Sequence, residues 1–143
     1  MSVKIAVCDD SEQFNKSLCD EISAHFSDEG VETSLYVFTN PFELLEQSTS
    51  VAFDILFLDI DMPAIDGIKT AERLRQQNDY ITIIFITNRD DLVFEAIKFK
   101  PFRFIRKERL EDELDEAFKA LISSIKTKSL TREFSVSNGT VSL

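Results

Sequence analysis

Acidic residues follow two of the chain's apolar runs: Asp9-Asp10 comes after Val3–Cys8, and Asp59 comes after Ile55–Leu58. Thr87 closes a third run, residues 81–86, and Lys107 comes shortly after a fourth, residues 102–105. Taken singly, an Asp or Thr at such a position is an ordinary terminator or cap. Their joint placement at four separate ends argues for a common site. Three carboxylates packed together repel, which raises their pKa values and costs stability unless a cation sits among them. A hard divalent ion such as Mg2+ suits them, because it takes oxygen ligands in octahedral geometry and retains waters. One carboxylate can then attack phosphorus, giving an aspartyl phosphate. The metal and the Lys107 ammonium would neutralise the oxygens of the transferring group, and the Thr87 hydroxyl would hydrogen-bond it on arrival.

For these side chains to meet, the apolar runs must be strands that end at one edge of a sheet. Strand-like runs and helix-like stretches alternate five times. After the first strand, Val3–Cys8, Ser11 caps a helix with Phe14, Leu18, Ile22 and Phe26 on one face. The second strand, Thr33–Phe38, leads to Asn40-Pro41, a helix cap with proline at the first helical position. The third, Ile55–Leu58, is followed by a helix over residues 66–78 with Ile68, Ala71 and Leu74 inward. Residues 81–86 form the fourth strand, 90–99 a short helix and 102–105 the fifth strand. The last helix, residues 109–126, carries Leu110, Leu114, Ala117, Leu121 and Ile125 as its apolar stripe.

Strict alternation of this kind implies a parallel sheet covered by helices on both faces, an α/β three-layer fold. The third and fourth strands are nearly unbroken apolar runs, as central strands are. The second and fifth interleave Thr33, Ser34 and Arg103, as edge strands do. That polarity fits the order 2-1-3-4-5, the flavodoxin-like arrangement, in which ligands bind beyond the carboxyl ends of the strands.

With 143 residues, 43% hydrophobic and 29% charged, the chain has room for one domain with a full core and a short extension. No apolar run is long enough to span a bilayer. Met1-Ser2-Val3-Lys4-Ile5 lacks the pattern of a secretory signal. Cys8 and Cys19 have no metal-ligand spacing and read as reduced residues of a cytoplasmic protein. A net charge of −10 disfavours direct contact with nucleic acid or anionic membrane. That charge fits plain solubility as well as a cation site, so position must decide. His25, alone near the end of the first helix, reads as a surface histidine with no assigned role.

Asp9-Asp10, the run Asp59-Ile60-Asp61-Met62-Pro63 with Asp66-Gly67, Thr87, and Phe104-Ile105-Arg106-Lys107 resemble the receiver signature of two-component response regulators. The resemblance covers about residues 2–126, with its motifs in the expected order. It implies that Asp59 accepts phosphate from a histidine kinase and that Mg2+ (or Mn2+) is the cofactor. Asp10, Asp59 and the backbone carbonyl of Asp61 would be the protein ligands, with Asp9 acting mainly through metal-bound water. Thr87 and Phe104 resemble the switch pair and Lys107 the phosphate-binding lysine. A homodimer through the fourth helix, fifth strand and fifth helix is the expected readout if Phe94, Ile97 and Phe99 leave apolar area exposed there; core packing would also account for most of them.

Two positions depart from the family pattern. Asn88 stands where a small residue is usual after the switch Thr, narrowing access to the phosphoryl group, and Glu108 replaces the usual proline after the lysine. Beyond residue 126 the character changes: Thr127-Lys128-Ser129 reads as a linker, and Asn138-Gly139 between Phe134-Ser135-Val136 and Thr140-Val141-Ser142-Leu143 reads as a hairpin. These features are similar to LytTR-type regulators, such as the quorum-sensing regulators of Gram-positive bacteria. On that reading residues 1–126 are the receiver and 127–143 begin a truncated C-terminal DNA-binding domain, through which alone the protein would contact DNA. The domain would be a phosphoacceptor, not an enzyme. Two rivals remain open: a phosphate-independent binding module, and a haloacid-dehalogenase-type phosphatase, for which Asp59-Ile60-Asp61 would be nucleophile and acid. In that phosphatase family the acidic pair comes late in the chain, whereas here it comes first.

Overall fold

A computed structural model of the chain describes residues 2–62 and 66–138, with side chains described as far as residue 128. Five parallel strands form one sheet in the order β2-β1-β3-β4-β5. They are β1 (Val3–Cys8), β2 (Thr33–Phe38), β3 (Ile55–Leu58), β4 (Thr82–Thr87) and β5 (Arg103–Arg106). Between and after them come α1 (Glu12–Asp28), α2 (Pro41–Gln47), α3 (Gly67–Gln77), α4 (Val93–Ile97) and α5 (Leu110–Asn138).

The expected strand order holds, and burial follows it. All four residues of β3 and the last five of β4 are buried, while β2 and β5 are mostly half-exposed. Alternation along each strand divides the core in two. Ile5, Val7, Phe57, Ile84, Ile86 and Ile105 pack with Leu18, Ile22 and Phe26 of α1 and Leu114, Phe118 and Leu121 of α5. Ala6, Cys8, Leu56, Leu58, Ile83 and Phe85 face Leu44 of α2, Ala71 and Leu74 of α3, and Ala96 of α4.

Helix starts follow local chemistry. Ser11 Oγ accepts the Phe14 N–H at 3.1 Å, and Asn40 Oδ1 accepts the Phe42 N–H at 2.7 Å with Pro41 in the first turn. Asp66 Oδ1 accepts the Lys69 N–H at 2.9 Å. Caps of this type each contribute about 1 kcal/mol.

Two stretches differ from the sequence expectation. The short helix expected over 90–99 is a 3-10 turn, Asp90–Leu92, followed by only five α-helical residues. The expected linker, Thr127-Lys128-Ser129, and the expected first hairpin strand, Phe134–Val136, are helical, since α5 runs on through Asn138. The remainder of that expected hairpin, Gly139 to Leu143, lies outside the described residues. The physical reason is that a helix satisfies its own backbone through i→i−4 bonds, whereas a lone two-stranded hairpin is marginal in water without further strands. Among the described residues, no helix is long and apolar enough to cross a membrane.

Candidate functional site at the carboxyl edge of the sheet

Residues that leave β1 and β3 place Asp9, Asp10 and Asp59 side by side, with one carboxylate oxygen from each lying within 4.8 Å of the others. Asp9 is 1% exposed and Asp59 4%, while Asp10 is open to solvent. Asp9 Oδ1 accepts the Ser11 N–H at 2.9 Å, so the residue that caps α1 also orients this carboxylate. Asp59 Oδ1 accepts the Asp61 N–H at 3.0 Å.

Lys107 reaches into this cluster from the end of β5. Its Nζ lies 2.7 Å from Asp9 Oδ2, a charge contact, and 3.3 Å from Asp59 Oδ2, to which it donates a hydrogen bond. The ammonium also sits 4.5 Å from the centre of the Phe14 ring, a cation–π contact that seats it over the first turn of α1. One cation thus spans two buried anions. Burial pushes the Asp59 carboxyl up to about 6; the Asp61 N–H and Lys107 pull it down, and the Asp9 charge pushes it up further. Burial works against the Lys107 ammonium, yet Asp9 and Asp59 together hold its pKa above the ordinary value. The Cys8 thiol, behind the carboxylates, is pushed up to about 12 by burial and then by Asp9, Asp59 and Asp10, so it is inert as a nucleophile.

Three oxygen donors at this spacing, two of them buried, fit a hard divalent cation. Soft metals that prefer thiolate or imidazole find no such ligand in this group.

The remaining expected residues surround the cluster at different depths. Thr87 ends β4 with 1% exposure, and its Oγ1 accepts the Arg89 N–H at 3.2 Å. Asn88 is exposed, and its Oδ1 accepts the Glu108 N–H at 3.2 Å. Phe104 is not at the acidic cluster. It lies half-buried on the α2–α3–α4 side of the sheet, its ring centre 6.4 Å from that of Phe85. Asp61 is exposed, and its Oδ1 lies 3.6 Å from Arg89 Nη1 across the mouth of the site. Pro63 lies outside the described residues.

Four contributors were not read from the sequence as part of the site: Ser11 and Phe14, seen only as a helix cap and an apolar-face residue, and Arg89 and Asn15. Asn15 is buried and donates through Nδ2 to the carbonyls of Asp9 and Phe38, at 2.9 and 3.1 Å, tying the ends of β1 and β2 together. Its place on the inward face of a helix, one turn after a cap, was the available signal. Gly67 has a different necessity. A Cβ there would collide with the backbone carbonyl of Asp59 and come within 2.6 Å of Ile60 Cα, so α3 can begin beside the acidic loop only with glycine.

An open parallel sheet with a basic side chain held among carboxylates at its carboxyl edge defines an α/β domain whose ligand site lies at that edge. Residues 5–119 match the response regulator receiver domain family, and the chain belongs to it, as a receiver domain of a two-component system. It is similar to the accessory gene regulator protein A of Staphylococcus epidermidis, with 32% identity over 101 residues, covering 68% of this chain and 42% of that protein. It is also similar to the positive alginate biosynthesis regulatory protein of Pseudomonas aeruginosa, with 33% identity over 81 residues, covering 57% of this chain and 33% of that one. The chain therefore spans less than half the length of these relatives.

Among solved structures, the response regulatory domain of protein mrkE from Klebsiella pneumoniae superposes with a TM-score of 0.78 at 22% identity, covering 87% of this chain and 99% of that one. The response regulator TrrA from Thermotoga maritima, solved in complex with Mg2+-BeF, gives a TM-score of 0.67 at 28% identity, covering 83% and 98%.

Proposed function

We propose that Asp59 is the phosphoacceptor of a LytTR-type transcriptional regulator, phosphorylated by a histidine kinase. The observation that carries this reading is the meeting of Lys107 with Asp59 and Asp9 at the sheet edge, beside the open Asp10. In the transfer, a carboxylate oxygen of Asp59 bonds to phosphorus as the bond from phosphorus to the donor's leaving group breaks. Asp10, Asp59 and the Asp61 carbonyl would hold Mg2+ or Mn2+, with Asp9 contributing through a coordinated water. The ion, when bound, supplies positive charge against the phosphoryl oxygens.

Lys107 exchanges its carboxylate partners for those oxygens, and Thr87 donates its hydroxyl from the neighbouring strand. The new group brings nearly two negative charges at neutral pH. Thr87 then moves toward it, Phe104 rotates into the vacated space, and the surface of α4, β5 and α5 is remodelled. Phe94 and Ile97, 84% and 57% exposed there, supply the apolar contact for a homodimer, whereas Phe99 packs against the core. The names of the relatives support an output in transcription, through a DNA-binding domain beyond residue 143. The domain acts as an acceptor that promotes its own phosphorylation and dephosphorylation, not as a turnover enzyme.

Incubation with acetyl phosphate and Mg2+, read by intact mass, tests the assignment. The chain gains one phosphoryl group and Asp59→Ala gains none; a gain in the variant moves the acceptor elsewhere.

A further inference from the structure

Asn88 directly follows Thr87, and Glu108 directly follows Lys107. The two are 20 positions apart in sequence, yet Asn88 Oδ1 accepts the Glu108 backbone N–H at 3.2 Å. The bond joins the turn after β4 to the turn after β5. It does not act alone. Arg106, the last residue of β5, holds its Nε 3.1 Å from Asp90 Oδ1, a second link between the same two regions placed two residues from Asn88 and two from Glu108. The Arg106 N–H donates to Glu113 Oε1 of α5 at 2.9 Å. The backbone of Lys107 is therefore fixed from before by Glu113 and from after by Asn88.

Side-chain geometry sharpens the point. Lys107 Nζ sits at the far end of four methylenes and must lie near two carboxylates at once, 2.7 and 3.3 Å away. A flexible stem holds such a position only if its root is held, because ordering a lysine side chain costs rotamer entropy. The Lys107–Arg109 stretch is a 3-10 turn with no side-chain cap of its own. The Asn88 oxygen is the partner that the Glu108 amide finds there.

We propose that Asn88 is a positioning residue whose side-chain carbonyl latches the turn of Thr87 to the turn of Lys107, so that hydroxyl and ammonium are set toward Asp59 as one unit. The bulk of Asn88 is incidental to this role; its acceptor oxygen is the working part. A displacement of Thr87 is passed through Asn88 to the root of Lys107. This rests on Asp59 being the phosphoacceptor.

Three substitutions separate the latch from a simple obstruction of the site. Asn88→Leu keeps the volume and removes the acceptor, Asn88→Ala removes both, and Asn88→Asp keeps an acceptor at the same reach. Two measurements are made on the full chain with Mg2+: hydrogen exchange of the Glu108 amide, and the rate of phosphorylation by acetyl phosphate at saturating donor. A net hydrogen bond of ordinary strength corresponds to roughly a five-fold effect. The latch predicts that Asn88→Leu and Asn88→Ala both speed Glu108 exchange and slow phosphorylation by about that factor, with Mg2+ affinity unchanged. Asn88→Asp keeps the amide protected, and because its added charge also repels the donor, exchange is its deciding measurement. Faster phosphorylation in Asn88→Ala with no change in Asn88→Leu would mean that the side chain only obstructs, and the latch is overturned. Unchanged Glu108 exchange in Asn88→Leu overturns it as well. If the unsubstituted chain takes up no phosphate while Glu108 exchange responds as predicted, the acceptor assignment fails and the hydrogen bond stands without its functional role.

Discussion

The α1–α5 face of the sheet and the α4 end of the opposite face are packed to different standards. On the α1–α5 side, Phe118 is fully buried, edge-on to Phe26 at 5.9 Å and to Phe57 at 6.1 Å between ring centres. Ile22, Leu18 and Leu121 close around them. On the other side, α4 has five residues, of which only Ala96 is buried, and neither it nor the preceding 3-10 turn has a side-chain cap. That end is held by polar contacts instead. Arg75 of α3 donates from Nε to the Phe99 carbonyl at 2.8 Å, from Nη2 to the Lys100 carbonyl at 2.8 Å, and from Nη1 to the carbonyls of Asp79 and Ile81. One face is packed by two long helices; the other is as well buried beneath α2 and α3 but thins out at α4. Elements that move in switching come from the weakly packed end of the stability range, and here that end adjoins Thr87 and Asn88.

The largest expected effect tests the α1–α5 face. Phe118→Ala removes a ring that two other aromatics pack against and should cost about 3–5 kcal/mol in chemical denaturation. A loss under about 1 kcal/mol would mean that the α1–α5 face is as adaptable as α4.

The second effect is a gain and lies at the site between the faces. Asp59 titrates near 6 in the fold, above its ordinary 3.8, so its charged form is disfavoured by folding. The penalty is full above about pH 6, where the group is ionised in both states, and it vanishes toward pH 4 and below, where it is neutral in both. Asp59→Asn should therefore stabilise the metal-free chain by up to about 3 kcal/mol at pH 7.5, with the gain shrinking as pH falls through 6 toward 4. Thermal unfolding in chelator across that range checks it; a gain independent of pH would remove the buried charge as its cause.

The smallest effect completes the contrast. Phe94→Ser alters a side chain already 84% exposed and should change monomer stability by less than about 0.5 kcal/mol. It should nonetheless weaken self-association of the phosphorylated chain in sedimentation velocity. A large loss of fold stability would show that α4 carries core packing.

Much of this architecture was legible because it is local. Short apolar runs alternating with helix-like stretches placed all five strands to within a residue. Ser11, Asn40-Pro41 and Asp66 marked helix starts by chemistry that acts within one turn. The contrast between unbroken Ile55–Leu58 and mixed Thr33–Phe38 was enough for the strand order, since burial on two faces leaves no room for polar side chains. Acids at strand ends then pointed to one edge. The segment beyond residue 126 misled because Asn138-Gly139 between alternating residues is a hairpin signal only if other strands receive it. In the structure the α5 helix runs through Asn138 instead.

The sequence by itself determined the strands, their order and the set of groups gathered at the carboxyl edge, because parallel strands deliver whatever ends them to the same side. Tertiary structure alone decided which of those groups touch. Lys107 bridges Asp9 and Asp59 over the Phe14 ring, Gly67 admits the start of α3 against the Asp59 carbonyl, and the Asn88 oxygen meets the Glu108 amide. Those contacts depend on the path of loops through space, to fractions of an ångström, and residue spacing along a chain carries no record of that path.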